Sequence, residues 1–151
     1  MYSEIRAKLR QITLPALSLT ESTLQFSVDF QPVPKLFGSH SERKGGNAIG
    51  LTGNDPDRLF LEIQGTWLLP EDDAVGYALL KQLTDWLDTA VPQWLDEAGM
   101  SRDIYLPLFI NDAAGDQPVF QTYKDFEKLK ALQRSVDPKG LFSGRAGGFK
   151  Y

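Results

Sequence analysis

Residues 104–123, IYLPLFINDAAGDQPVFQTY, join a short apolar run to a polar loop and then to a helix-forming segment. The apolar run, 104–110, has the character of a strand, and Pro107 within it indicates an edge position or a bulge. The loop 111–118 opens on Asn111 and Asp112. Because polar loops at strand ends often carry binding residues, we expect part of a functional site here.

Two earlier segments alternate apolar and polar side chains with the period of a β-strand. In residues 22–31 and 58–69 one face is apolar, and these residues form it: Leu24, Phe26, Val28, Phe30, Leu59, Leu61, Ile63 and Trp67. The opposite face of the second segment carries Glu62 and Gln64. We expect this polar face to meet solvent or to line a polar pocket.

Three helices complete the predicted order. The first covers residues 3–12 and ends before Pro15. The second covers 70–99 and is interrupted at Pro92, and the third covers 119–136 and ends before Asp137-Pro138. The third helix is predicted to turn Phe126, Leu129 and Leu132 towards the core, with Leu141 and Phe142 as an apolar anchor after it.

This order predicts an α+β fold, an antiparallel β-sheet with helices packed on one face, plus a C-terminal helix and an extended tail. We expect one compact domain, made of an α+β unit over residues 1–110 and a C-terminal loop, helix and tail over 111–151. Between the two alternating segments, residues 35–58 are predicted to be a long loop with five glycines and the single histidine, His40, which we expect to be exposed.

Composition excludes several classes of function. The 151 residues contain no cysteine, so disulfides, thiol catalysis and cysteine metal sites are excluded, and we predict no metal site. The net charge of −4 argues against a nucleic-acid partner. No apolar run has the length of a membrane span and no signal peptide is visible, which favours a cytoplasmic chain without a membrane partner. Residues 124–151 are basic, which indicates a solvated helix face or a docking surface for an acidic partner.

Six short motifs occur along the chain in a recognisable order. They are Phe30-Gln31-Pro32-Val33-Pro34, Gly45-Gly46-Asn47-Ala48-Ile49-Gly50-Leu51, Trp67, Ile110-Asn111-Asp112-Ala113, Asp137-Pro138-Lys139-Gly140-Leu141-Phe142 and Gly147-Gly148-Phe149-Lys150. In order and spacing they resemble the C-terminal part of fungal FAD-linked oxidoreductases of the berberine bridge enzyme-like family. The resemblance implies a substrate domain that lies over the flavin, in a parent protein whose FAD-binding domain is absent from this chain.

The resemblance also implies roles for individual residues. Glu62 falls near the position of a catalytic base and Gln64 shares its face. Asn111 matches an asparagine near the flavin and is the predicted cofactor-binding residue. Asp112 stands where relatives commonly have tyrosine, and is a second predicted catalytic residue.

Two further residues are predicted to bind substrate. Asn47 lies in the loop over residues 35–57, which we expect to line the pocket. Tyr123 matches a serine-tyrosine-glycine motif, although Thr122 and Lys124 replace the serine and the glycine.

Three functions fit these observations. The first is oxidation of a small organic substrate or secondary metabolite, with FAD as cofactor and with an FAD-binding domain or a second copy of the chain as partner. The second is a free-standing, flavin-independent cyclase or isomerase, in which Glu62, Asp112 and Tyr123 supply acid–base groups and no cofactor is needed. The third is a non-catalytic interaction module.

Overall fold

A computed structural model describes residues 1–19 and 21–148 of the chain. Its helices and strands are, in order, α1 (Tyr2–Leu17), β1 (Gln25–Val33), α2 (Lys35–Glu42), β2 (Arg58–Thr66), α3 (Asp73–Glu97), α4 (Phe126–Val136) and α5 (Leu141–Arg145). Strands β1 and β2 form a two-stranded antiparallel sheet. The α+β class and the C-terminal helix are therefore as predicted. The motif residues Phe149 and Lys150 lie outside the described residues.

The residues fall into two compact units, each built from two separated segments. Unit 1 combines Met1–Phe30 with Leu61–Ile104, and unit 2 combines Gln31–Phe60 with the chain from Tyr105 onwards. The predicted boundary between residues 110 and 111 stays a prediction. The sheet contributes to both units, because each strand runs from one unit into the other.

In unit 1, helices α1 and α3 pack together and cover the apolar face of the strands. The ring of Tyr2 in α1 lies 4.6 Å from that of Phe30. A Cβ atom on Gly65 would lie 3.1 Å from side-chain atoms of Leu80 in α3 and of Phe26. Phe26 and Phe30 are four residues apart in β1 and so share one face. The helices therefore cover this face of the unit 1 strands, as predicted.

Both prolines that were expected to stop helices lie inside them. Helix α1 continues past Pro15 to Leu17, and α3 continues past Pro92 to Glu97. A proline removes one helical hydrogen bond, but packing can offset this cost. Ala90, beside Pro92, is buried. The predicted stop at Pro15 and the predicted break at Pro92 are thus wrong.

The end of α3 was predicted correctly. Gly99 has a φ of 64° and donates its N–H to the carbonyl of Asp96, while Met100 donates to that of Leu95. These paired bonds and the left-handed glycine form the Schellman motif that ends many helices.

In unit 2, a small core surrounds the turn before α4. Val119, Phe120 and Tyr123 are buried, and partly buried side chains pack on them: Ile49, Leu108, Ile110, Ala113, Phe126 and Leu129. Phe126 and Leu129 therefore contact the core as predicted. Leu132 does not, because it is 58% exposed.

The predicted third strand, residues 104–110, is wrong. This segment is neither strand nor helix. Pro107 has no N–H to donate to a neighbouring strand. The segment is instead held by side chains, since Leu108 and Ile110 pack on the unit 2 core and the ring of Phe109 stacks 4.9 Å from that of Phe60. A hydrogen bond from the Leu108 N–H to the hydroxyl of Thr122, at 3.1 Å, also supports it.

Three further predictions in unit 2 need correction. Residues 35–58 are not loop throughout, because α2 begins after Pro34 and its first N–H, on Lys35, is bound by the carboxylate of Asp57. Helix α4 begins at Phe126 rather than at residue 119, since Tyr123 is extended. The apolar anchor is not buried either: Leu141 and Phe142 lie in α5 with exposed side chains.

Candidate functional site

The face of the unit 1 strands that α1 and α3 leave uncovered carries a chain of polar side chains. The hydroxyl of Ser27 donates to Oε1 of Gln64 at 3.4 Å, and Nε2 of Gln64 donates to Oε1 of Glu62 at 2.7 Å. Glu62 is half-buried, whereas Gln64 is exposed. The period of two places Glu62 and Gln64 side by side, as the sequence predicts. Ser27 joins them from the neighbouring strand.

This array suits a carboxylate that accepts a proton. The side-chain NH₂ group of Gln64 donates to one oxygen of Glu62. Because the Ser27 hydroxyl donates to the amide oxygen of Gln64, that oxygen faces Ser27 and the NH₂ group faces the carboxylate. Within the described part of the chain, no hydrogen bond reaches Oε2 of Glu62. A substrate on this face would thus meet a carboxylate oxygen and an oriented amide. The roles of Glu62 and Gln64 in catalysis and binding stay predictions.

Unit 2 holds the other predicted site residues, in two settings. Asn111 and Asp112 lie in a turn closed by the Asp112 N–H and the carbonyl of Phe109 at 3.1 Å, with Asn111 exposed and Asp112 half-buried. Tyr123 is buried in the core, where its ring lies 5.8 Å from that of Phe120. Their predicted roles in catalysis, cofactor binding and substrate binding stay predictions.

Asn47 organises its own loop. Its Nδ2 donates to the hydroxyl of Ser41 at 2.8 Å and to the carbonyl of Leu51 at 2.9 Å. Its Oδ1 accepts from the N–H groups of Gly50 and Leu51 at 2.8 and 3.2 Å. These four bonds use both donors and both acceptor positions of the amide. If Asn47 contacts substrate as predicted, one of these four hydrogen bonds must therefore break.

The sequence analysis missed a polar network in unit 2, made of Asp55, Arg58, Tyr105 and Lys124. Asp55 and Arg58 form an ion pair of 3.1 Å whose side chains are about nine-tenths buried. The ammonium of Lys124 lies 4.3 Å from the centre of the Tyr105 ring and 3.6 Å from Asp55. The Tyr105 hydroxyl donates to the carbonyl of Ile49 and accepts from the Lys124 N–H. These contacts tie the loop before β2 to the segment that precedes α4.

Burial and hydrogen bonding shift two pKa values in this Tyr105 network. Burial alone would raise the pKa of Asp55, but hydrogen bonds from Thr52 and Arg58 outweigh it and lower the pKa below its ordinary value. Burial raises the pKa of Tyr105 above its ordinary value. The Tyr105 phenol therefore stays protonated and the Asp55 carboxylate stays charged at neutral pH. Such states suit a structural network rather than a general base.

Metal and membrane sites are not found among the described residues. No group of three or more His, Asp or Glu side chains there is arranged to hold a metal ion. His40, which the sequence predicts to be exposed, lies in α2. It contacts the guanidinium of Arg43, the residue that follows α2, at 2.6 Å. None of the described helices has both the length and the apolar character that a bilayer crossing requires.

The described residues do not form a site for the pyrophosphate of FAD. Such sites usually combine a glycine-rich turn with the helix N-terminus that directly follows it. Here the glycine-rich loop comes after α2, and α2 itself begins directly after Pro34. The space beside Gly50 is filled by the side chain of Lys124.

Fold and site together define the class: an α+β protein whose strands carry helices on one face and, in unit 1, a carboxylate–amide array on the other. The FAD-dependent monooxygenase drtC of Aspergillus calidoustus is 33% identical over 124 residues, which are 80% of this chain and 22% of that protein. An FAD-dependent monooxygenase of Arthrobotrys oligospora is 30% identical over 133 residues, which are 83% of this chain and 24% of the relative.

A third relative, an FAD-linked oxidoreductase of Arthroderma benhamiae, is 29% identical over 129 residues, which are 82% of this chain and 25% of the relative. The chain thus spans about a quarter of the length of these curated relatives. No family model matches the chain, and no solved structure matches it. The inferred resemblance to FAD-linked oxidoreductases is confirmed at this level, because the relatives are named for FAD-dependent oxidation.

Proposed function

We propose that this chain is the substrate-domain part of an FAD-linked oxidoreductase of the berberine bridge enzyme-like type, which oxidises a small organic substrate or secondary metabolite. The observation that carries the proposal is the Ser27–Gln64–Glu62 array on the uncovered face of the unit 1 strands. Support also comes from relatives that are named as FAD-dependent monooxygenases. The FAD-binding domain is the proposed partner.

In this proposal Glu62 is the base. Its Oε2 takes a proton from the substrate, while Gln64 holds Oε1 and keeps the carboxylate oriented. Ser27 holds the Gln64 amide from the neighbouring strand. Asn111 is the proposed cofactor contact, and Asp112, Asn47 and Tyr123 are the remaining proposed site residues.

The second candidate is a flavin-independent cyclase or isomerase. It is favoured by the position of the glycine-rich loop, which follows α2 instead of preceding it. Cyclisation and isomerisation require proton transfer and positioning but no electron carrier. Glu62, Asp112 and Tyr123 would supply the acid–base groups. This candidate predicts turnover of the substrate by the chain alone, without FAD.

A chimera tests the first proposal. The segment of the Aspergillus calidoustus monooxygenase that matches this chain is replaced by the chain, and the purified chimera is mixed with the relative's own substrate without oxygen. We expect a yellow protein whose flavin absorbance is bleached by substrate. With Glu62→Gln, flavin content should be unchanged and bleaching should slow by at least about 100-fold, the usual contribution of a general base.

Glu97→Gln is the matched control, because Glu97 is exposed at the end of α3 and far along the chain from the array. It should bleach at the rate of the parent chimera. If Glu62→Gln also bleaches at that rate, Glu62 is not the base. A folded chimera that never holds flavin would contradict the substrate-domain assignment itself.

A further inference from the structure

Two surfaces of the chain combine exposed apolar side chains with opposite charge. The acidic apolar surface, residues 67–77, lies at the start of α3 and contains three acidic residues and no basic one. On it Leu68 is 86% exposed and Tyr77 is 66% exposed. Leu69 and Val75 are also exposed. Large apolar side chains this open to solvent, close together in sequence, mark an interaction surface.

The basic apolar surface, residues 128–145, covers α4 and α5 and contains five basic residues and one acidic one. Val136 is 68% exposed, and Leu132, one helical turn earlier on the same face, is also exposed. Leu141 in α5 adds a third exposed apolar side chain. The exposed Lys128 lies one helical turn before Leu132, on the same face of α4.

We infer that copies of this chain associate, with the acidic apolar surface of one copy against the basic apolar surface of another. Each surface supplies the apolar contact area and the charge that the other lacks. Complementary charge of this kind selects a partner and speeds encounter, while apolar side chains provide the buried area. The occupant is a second copy because the matching surface is present on the chain itself. This inference is independent of the role of Glu62.

The test is sedimentation of the purified chain over a wide range of concentration, at low and at high salt. We expect concentration-dependent association that weakens as salt screens the charges. Glu71→Lys and Lys128→Glu should each weaken association at least about tenfold. The double variant carries both reversals, so the two surfaces again present opposite charges at these positions, and association should recover.

Matched controls separate this pairing from general charge effects. Lys44→Glu makes the same charge change as Lys128→Glu on an exposed turn after α2, and should leave association unchanged. Val136→Ser should weaken it without reversing charge. Circular dichroism confirms that each variant is folded.

Three results would overturn the inference. They are a wild-type chain that stays monomeric at every concentration, variants that associate as strongly as Lys44→Glu, and a double variant weaker than both single ones. If the wild-type chain stays monomeric, the two surfaces would instead bind a different protein.

Discussion

At the residue scale, Gly50 determines how the loop before β2 meets the Tyr105 network. Its φ of 85° is rarely adopted by other residues, and a Cβ atom there would lie 2.5 Å from the Lys124 Cβ. Gly50→Ala should therefore reduce the free energy of unfolding by about 2 kcal/mol, from backbone strain together with displacement of Lys124. Urea denaturation measures this loss. Gly115→Ala is the control and should be nearly neutral, because a Cβ atom on Gly115 would have no atom within 4 Å apart from its chain neighbours.

Asp55 makes stability depend on pH. The pKa of Asp55 is lowered in the folded chain, so its carboxylate stabilises the fold above the unfolded pKa of about 4 and loses this effect as pH falls through the folded value. Asp55→Asn should cost about 3 kcal/mol at pH 7, because it leaves the buried Arg58 without its charge partner.

The cost of Asp55→Asn should shrink as the solution is acidified, because the wild type then loses the same charge. Urea titrations at neutral and acidic pH measure the difference between the two proteins. An equal difference at both would show that the charge of Asp55 contributes nothing.

The sequence predicts the arrangement of candidate residues well where they are neighbours in one strand. The period of two is enough to place Glu62 beside Gln64, and the structure has them hydrogen-bonded. The period of two cannot place Ser27 beside Gln64, because that contact depends on how the two strands pair. Nor does any local pattern link Asp55 to Lys124, which are distant in the chain and meet only after unit 2 has folded.

At the element scale, Asp137 organises the start of α5. Its carboxylate accepts hydrogen bonds from the N–H groups of Leu141 and Phe142 at 2.7 and 2.9 Å. Asp137→Ala should destabilise α5 by about 1 kcal/mol, as loss of a helix cap does. Amide hydrogen exchange at these two residues should become faster, while exchange in α3 should not change. Asp116→Ala, in an exposed loop, should leave both unchanged.

Elements with a strong periodic pattern are predictable here, and elements fixed by distant contacts are not. The alternation in residues 22–31 and 58–69 correctly gives β1 and β2. The apolar run 104–110 looks like a strand in sequence, but its partners are side chains of the unit 2 core and the Thr122 hydroxyl. Helix α2 contains a glycine followed by four polar residues, and its first N–H is bound by Asp57, twenty-two residues away.

At the scale of the whole molecule, the chain spans about a quarter of relatives that are named for FAD. Its described residues place the glycine-rich loop after a helix instead of before one, and Lys124 fills the space beside Gly50. We therefore expect the isolated chain to remain colourless after it is mixed with FAD and desalted, whereas the chimera should be yellow. Both samples should be run at low and high protein concentration, because association of copies could complete a site.

A yellow isolated chain would show that a flavin site exists that the arrangement of its glycines and helices does not reveal. If the colour appeared only at concentrations where copies associate, the site would be shared between copies. Basic-surface variants such as Lys128→Glu would then lose flavin together with association, whereas Lys44→Glu would keep both. Colour that is independent of concentration would instead place the flavin within one copy, and would contradict the proposal that a separate FAD-binding domain is required.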